Sequence, residues 1–211
     1  MMQPILEHLG VAVAALTGVL AARGKRVDLF GVLVLALVTA FGGGSIRDLA
    51  LGDRPIFWVR DPGFAITASA TAFVAFFIAR AWELPQNVLL IADACALAFF
   101  TAIGAEKALH FQVAPHIAVA MGVITGVAGG MCRDVLTGEI PLVFRREIYL
   151  YATAAAIGAG CFVALQTFLP NRGANLLIGT MITLALRLAG IRWRLALPVF
   201  EERRREPPPV P

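Results

Sequence analysis

The sequence predicts an all-α integral membrane protein: seven transmembrane helices, arranged as two inverted three-helix repeats plus a seventh helix. Three observations carry this. Of 211 residues, 59% are hydrophobic and only 15% are charged, whereas soluble domains run near 25% charged. The apolar residues fall into seven runs, each close to the roughly 20 residues that a bilayer crossing needs. A glycine-rich segment centred on Ser45 also returns, in register, around Met131.

The runs place crossings at 5–22, 30–51, 64–81, 88–105, 115–136, 148–169 and 174–191. Turn and charge signals separate them, among them Arg23-Gly-Lys-Arg26, Arg60-Asp-Pro-Gly63 and Pro170-Asn-Arg-Gly173. The first run lacks the basic region and small-residue cleavage site of a signal peptide, so it is expected to stay in the mature chain. Cys95, Cys132 and Cys161 lie in apolar stretches, are odd in number and match no zinc spacing. Neither a disulfide framework, a metal site nor a cofactor is expected.

Orientation follows from Lys and Arg on the two sides. With the N-terminus outside, the inner side receives Arg23, Lys25, Arg26, Arg80, Arg133, Arg145, Arg146, Arg187, Arg192, Arg194 and Arg203 to Arg205. The outer side receives only Arg47, Arg54, Arg60, Lys107 and Arg172. The C-terminus is therefore expected in the cytoplasm of a multi-pass plasma-membrane protein. The basic stretch with Trp193 suits anionic lipid head groups; the preferred reading is an orientation anchor followed by a disordered tail. These positions explain the basic balance without a nucleic-acid partner.

Shifting the chain by 86 residues lays Ala36 to Trp58 over Gly122 to Phe144. The identical pairs are Thr39/Thr125, Gly43/Gly129, Gly44/Gly130, Arg47/Arg133, Asp48/Asp134, Gly52/Gly138 and Pro55/Pro141. Rare types matching in register mark two copies of one unit. Residues 1–86 form the first, 87–172 the second, 173–191 the seventh helix and 192–211 the basic, Pro-rich tail. Each copy holds three crossings, an odd number, so the second enters the membrane upside down.

Three consecutive glycines, Gly42, Gly43 and Gly44, sit inside the second crossing and are followed by Arg47-Asp48. Glycine weakens a helix by roughly 1 kcal/mol relative to Ala, so the second and fifth crossings are expected to break here and at Gly129-Gly130. Carbonyls freed at the breaks, with the Thr39 and Thr125 hydroxyls and Ser45, would make an oxygen-lined site for a weakly held cation. Gly122 and Gly126 read as packing residues. Neighbours on a helix do not face each other, so Arg47, Asp48, Arg133 and Asp134 are expected to pair with other segments, for scaffold or pore lining. Asp93 is a possible intramembrane acid, with the interfacial start of a helix as the preferred reading. Glu106-Lys107 reads as a solvated or interfacial pair, and His8, His110 and His116 carry no functional signal. No Gly-x-Ser-x-Gly, phosphate-binding loop or His-Glu-x-x-His occurs, so no enzyme is expected.

The two segments Phe41-Gly-Gly-Gly-Ser-Ile-Arg-Asp48 and Gly126-Val-Ala-Gly-Gly-Met-Cys-Arg-Asp134, with the seventh helix, resemble prokaryotic members of the trimeric intracellular cation (TRIC) channel family. The resemblance covers roughly residues 5–191. It implies a homotrimer with an ion path in each protomer, lined by kinked second and fifth helices and permeable to potassium and other monovalent cations. Animal relatives act as counter-ion channels of the reticulum, but this chain lacks their longer basic loops and tail, so their lipid regulation is not carried over. Some bacterial proteins with the same domain are associated with glycine uptake. A secondary transporter of a small amino acid is therefore the alternative.

Overall fold

The computed structural model describes residues 2–82, 85, 87–145, 150–169 and 171–195. Arg146, parts of the 83–86 connection, Pro170 and the tail from residue 196 on lie outside the described residues. Seven long helices match the expected crossings: α1 (Met2–Ala21), α2 (Leu29–Leu51), α4 (Gly63–Ala81), α5 (Val88–His110), α6 (Pro115–Leu136), α7 (Tyr151–Phe168) and α8 (Arg172–Trp193). A four-residue helix, α3 (Phe57–Arg60), and a 3-10 turn over Leu142–Phe144 occupy the equivalent connections of the two copies. All seven long helices are apolar enough to cross a membrane. The protein is multi-pass.

Local chemistry sets the helix ends. Asp28 caps α2 by accepting from the Gly31 amide at 2.8 Å, satisfying one of the donors that a helix start leaves without a partner. Gly52 then ends α2 in the left-handed region at φ 72°, and Gly138 takes the same role after α6 at φ 71°. Asn171 caps α8 through the Ala174 amide. The fifth helix, α5, runs five residues beyond the expected end at 105. Glu106 and Lys107 continue it because each finds a partner across the bundle, Arg172 for one and Asp48 with Asp53 for the other.

The helices α1, α2, α5 and α6 form the centre. α4 packs on α1 and α2, and α7 packs on α5 and α6, so exchanging the two copies reproduces the arrangement. α8 lies against α5 and α7 and has no counterpart. The most enclosed element is α5, with 67% of its span buried against 22% for α4. Much of the interior is alanine (Ala15, Ala36, Ala68, Ala94, Ala105, Ala154). Such small side chains let helices approach closely where lipid offers no hydrophobic drive between them.

The helices α2 and α6 run without interruption through Gly42–Gly44 and Gly129–Gly130. The expected breaks are absent. Three glycines cost a helix roughly 3 kcal/mol, but each backbone group left without a partner in an apolar interior costs several kcal/mol. Keeping the hydrogen-bond ladder is the cheaper state. The carbonyls of Thr39 and Thr125 are therefore not freed.

Candidate functional site

The glycines act through approach rather than through breakage. A methyl group on Gly43 would lie 2.1 Å from the carbonyl oxygen of Thr125, and one on Gly129 would lie 2.4 Å from that of Thr39. The hydrogen that glycine carries in place of Cβ thus points at the opposite carbonyl in both directions, a C–H···O contact of the kind found where helices cross closely. The two contacts are images of one another under the 86-residue shift. Thr39 and Thr125 are buried, and their hydroxyls donate to the carbonyls of Leu35 and Met121, each at 2.6 Å.

Beside this crossing lies a cavity of about 10 Å³, lined by Thr17, Thr39, Gly43, Gly44, Thr125, Gly129, Gly130, Asp93 and Arg133 among others. That is room for about one water. Gly44 and Phe100 also line a second cavity of about 470 Å³. This larger space lies at the end of the bundle that carries the N-terminus, hereafter the vestibule. Its wall carries Glu7, Arg47, Asp53, Arg60, Asp61, Lys107, His110 and Arg172 over an apolar floor that includes Phe57, Phe64 and Phe100.

The Arg-Asp pairs govern both ends. Arg47 bonds its own neighbour Asp48, through Nε at 2.8 Å and through Nη2 at 2.7 Å. Arg133 Nε reaches Asp134 at 2.9 Å. Adjacent side chains were not expected to meet. They do because the long arginine stem curls back alongside the helix, bringing the guanidinium to the short aspartate. The outer oxygens then fix the connections: Asp48 Oδ2 accepts from the Phe57 amide and Asp134 Oδ2 from the Leu142 amide, both at 2.8 Å. Other segments add partners. Lys107 Nζ lies 2.7 Å from Asp48 and 2.6 Å from Asp53, and Arg133 Nη1 donates to Asp93 at 2.9 Å.

Asp93, in the second turn of α5, is 3% exposed and so is a buried acid. Around it, at the end opposite the vestibule, Arg133 is joined by Arg187, whose guanidinium stacks 4.6 Å from the Tyr151 ring and lies 4.0 Å from Asp93. A methyl on Gly130 would touch the Tyr151 hydroxyl, Asp93 and Arg133 at 3.2–3.6 Å. Asp93 and Arg133 of this cluster also line the central cavity. Arg187 and Arg133, counted from sequence among the inner-side charges, are buried members of the cluster. An arginine inside the apolar α8 run is itself a signal for an intramembrane partner; placing Arg187 with the basic tail hid it.

The remaining predicted residues scatter. Gly42 packs toward Cys132 of α6 at ordinary contact distance. Ser45 turns to α3, accepting from the Trp58 indole at 3.1 Å. Glu106 is buried and bonded to Arg172 at 2.7 Å, not solvated. Gly122 and Gly126 face Thr101 of α5 and serve packing. Two surface clasps repeat the symmetry: Arg60 and Lys107 hold Asp53, and Lys25 and Arg145 hold Glu139. Burial pushes the Asp53 carboxyl up, but the hydrogen bonds and charges of Arg60 and Lys107 outweigh it and hold the group below its ordinary value. The Lys25 hydrogen bond lowers Glu139 in the same way.

Fold and site together define an inverted-repeat membrane protein with a charged cavity beside the crossing of α2 and α6. A family model described as "Glycine transporter" matches twice, over residues 4–80 and 90–167, and the chain belongs to that family. It is 48% identical to the UPF0126 inner membrane protein YadS of Escherichia coli K12, covering 92% of this chain and 94% of that one. A UPF0126 membrane protein of Vibrio cholerae is 45% identical, covering 93% and 82%. Among solved structures, the TRIC trimeric intracellular cation channel orthologue from Rhodobacter sphaeroides superposes with a TM-score of 0.87 at 41% identity, covering 92% of this chain and 99% of that one. A structure described for conductance through TRIC cation channels gives 0.85 at 33% identity, covering 96% and 98%. The fold is that of the TRIC channels.

Proposed function

We propose that the protein is a homotrimeric channel for monovalent cations, potassium included, with one path in each protomer and the N-terminus outside the cell. One observation carries the reading. Two cavities that share Gly44 and Phe100 run from the vestibule past the α2–α6 crossing to Asp93 and Arg133. The likeness to proteins described as trimeric cation channels supports it. Thr39, Gly43, Gly44, Thr125, Gly129 and Gly130 line the narrow part. Arg47, Asp48, Arg133 and Asp134 hold its ends. With room for about one water at the centre, this conformer is non-conducting, and conduction requires α2 and α6 to part. The test is reconstitution of pure protein in planar bilayers with potassium and chloride gradients. Discrete openings that reverse near the potassium potential are expected, and their absence sinks the reading.

A second reading has its own support. The vestibule is lined by both signs of charge, which suits a small zwitterion carried by alternating access. The family description points the same way. Saturable, competable uptake of labelled glycine into proteoliposomes, without unitary currents, would favour this carrier.

A further inference from the structure

We propose that His8 makes conduction sensitive to acid on the vestibule side, an inference that rests on the channel reading and names its regulation. His8 of α1 stacks on Phe64 of α4, with ring centroids 4.4 Å apart and an interplanar angle of 21°. Phe64 meets Phe57 of α3 edge to face at 5.2 Å. Phe57 is seated on Gly44, where a methyl would come within 2.5 Å of its ring. Gly44 lines both cavities. Two phenyl rings thus join an imidazole to the junction between vestibule and central cavity.

Imidazole is the side chain whose ordinary charge change falls between about pH 5 and pH 8. His8 Nδ1 pairs with Thr67 Oγ1 at 2.9 Å. A hydroxyl can donate to a neutral ring or accept from a protonated one, so the ring keeps its place and only its charge changes. Asp61 stands beside it: a methyl on Gly63 would lie 2.9 Å from Asp61 Oδ1 and 3.5 Å from His8 Cε1. Asp61 is also the residue at which α3 ends. Protonated His8 attracts Asp61 and stacks more strongly on Phe64 as a cation over a ring face. Both pulls draw the far end of α3 toward α1 and α4, while Asp48 anchors its Phe57 end. Phe57 is held on Gly44. The added positive charge also repels cations entering the vestibule. Acid therefore closes the path.

The charged and titratable groups lining the vestibule are Glu7 on the same helix, Arg47 from α2 and Asp53 just after it, Arg60 and Asp61 from α3 and its end, Lys107 and His110 from α5, and Arg172 from α8; Glu106 lines an adjoining pocket with His110 and Arg172. His110 is the second imidazole, so His110→Gln is the control. In planar bilayers, lowering the vestibule-side chamber from about pH 8 to about pH 5.5 should cut wild-type open probability about threefold, the scale of one partly exposed ion pair. His8→Gln should conduct like wild type at the higher pH and lose the acid response, whereas His110→Gln should keep it. A wild type indifferent to acid, or a His8→Gln response equal to wild type, overturns the inference. If wild type shows no unitary current at any pH, the channel reading fails, and Trp58 emission then tests the coupling alone. Trp58 belongs to α3 and stacks on Phe41 at 5.2 Å. With Trp82 and Trp193 replaced by Phe, its emission should shift across the imidazole range and not do so in His8→Gln; a signal flat in both refutes the coupling.

Discussion

The two copies build the same frame and finish it differently. In each, an Arg-Asp pair closes on itself, the aspartate fixes the following connection, and a left-handed glycine ends the turn. At the first copy, Asp48 has two cationic partners, Arg47 and Lys107, and Gly44 is covered by an aromatic ring facing an open vestibule. At the second, one arginine, Arg133, serves two acids, and Gly130 is covered by a buried polar cluster. The frame is set by the repeat. The difference comes from what each end recruits: α5 delivers Lys107 to one, and the unrepeated α8 delivers Arg187 to the other.

The largest test of this contrast removes the arginines. Arg133→Met leaves Asp93 and Asp134 buried without their main partner and should cost about 3–5 kcal/mol. Arg47→Met should cost about 1 kcal/mol, because Asp48 keeps Lys107 and the Phe57 amide. Thermal unfolding in detergent reads both, and equal losses would erase the proposed asymmetry. Next come the glycines. Gly43→Ala drives a methyl into the Thr125 carbonyl and should cost about 2–3 kcal/mol, with Gly129→Ala alike. Gly42→Ala meets only ordinary contacts and should stabilise by up to about 1 kcal/mol. A triplet in which all three positions respond equally would contradict the crossing.

The smallest effect concerns the clasps. Both carboxyls lie below their ordinary values, so their stabilisation is complete above the usual carboxylate range and is lost as pH falls through the lowered values. Melting temperature should drop at acid pH, below about pH 4. High salt should erase the share due to exposed Glu139 and spare most of that due to Asp53, which is 9% exposed. Glu139→Gln and Asp53→Asn separate the two, and an acid limb that Asp53→Asn leaves untouched would assign it elsewhere.

Crossings and repeat were legible because both are long-range periodic signals: apolar runs of bilayer length and rare residues returning in register. Distances between helices leave no such trace. Gly42, Gly43 and Gly44 look alike in sequence, yet Gly43 is pressed against a facing carbonyl, Gly42 meets α6 at ordinary contact distance and Gly44 carries a ring. Lys107 was read as solvated or interfacial because its partners, Asp48 and Asp53, lie more than fifty residues earlier. Arg187 was assigned to the tail by proximity to other arginines, although the apolar residues on both sides of it already placed it inside a helix. Phe57 beside Gly44 and Tyr151 beside Gly130 carry no pattern at all; only the fold gives them their positions.

The reciprocal Gly43–Thr125 and Gly129–Thr39 contact has a consequence for descent and assembly. It is an isologous interface, the same patch meeting itself about a twofold axis, of the kind that joins two identical subunits. Here both partners lie on one chain. A single three-helix polypeptide able to insert in either direction could have formed this contact with a second copy, and duplication with fusion would then have fixed one copy in each direction. Once joined, the two patches no longer had to change together, so the two Arg-Asp pairs were free to acquire different partners.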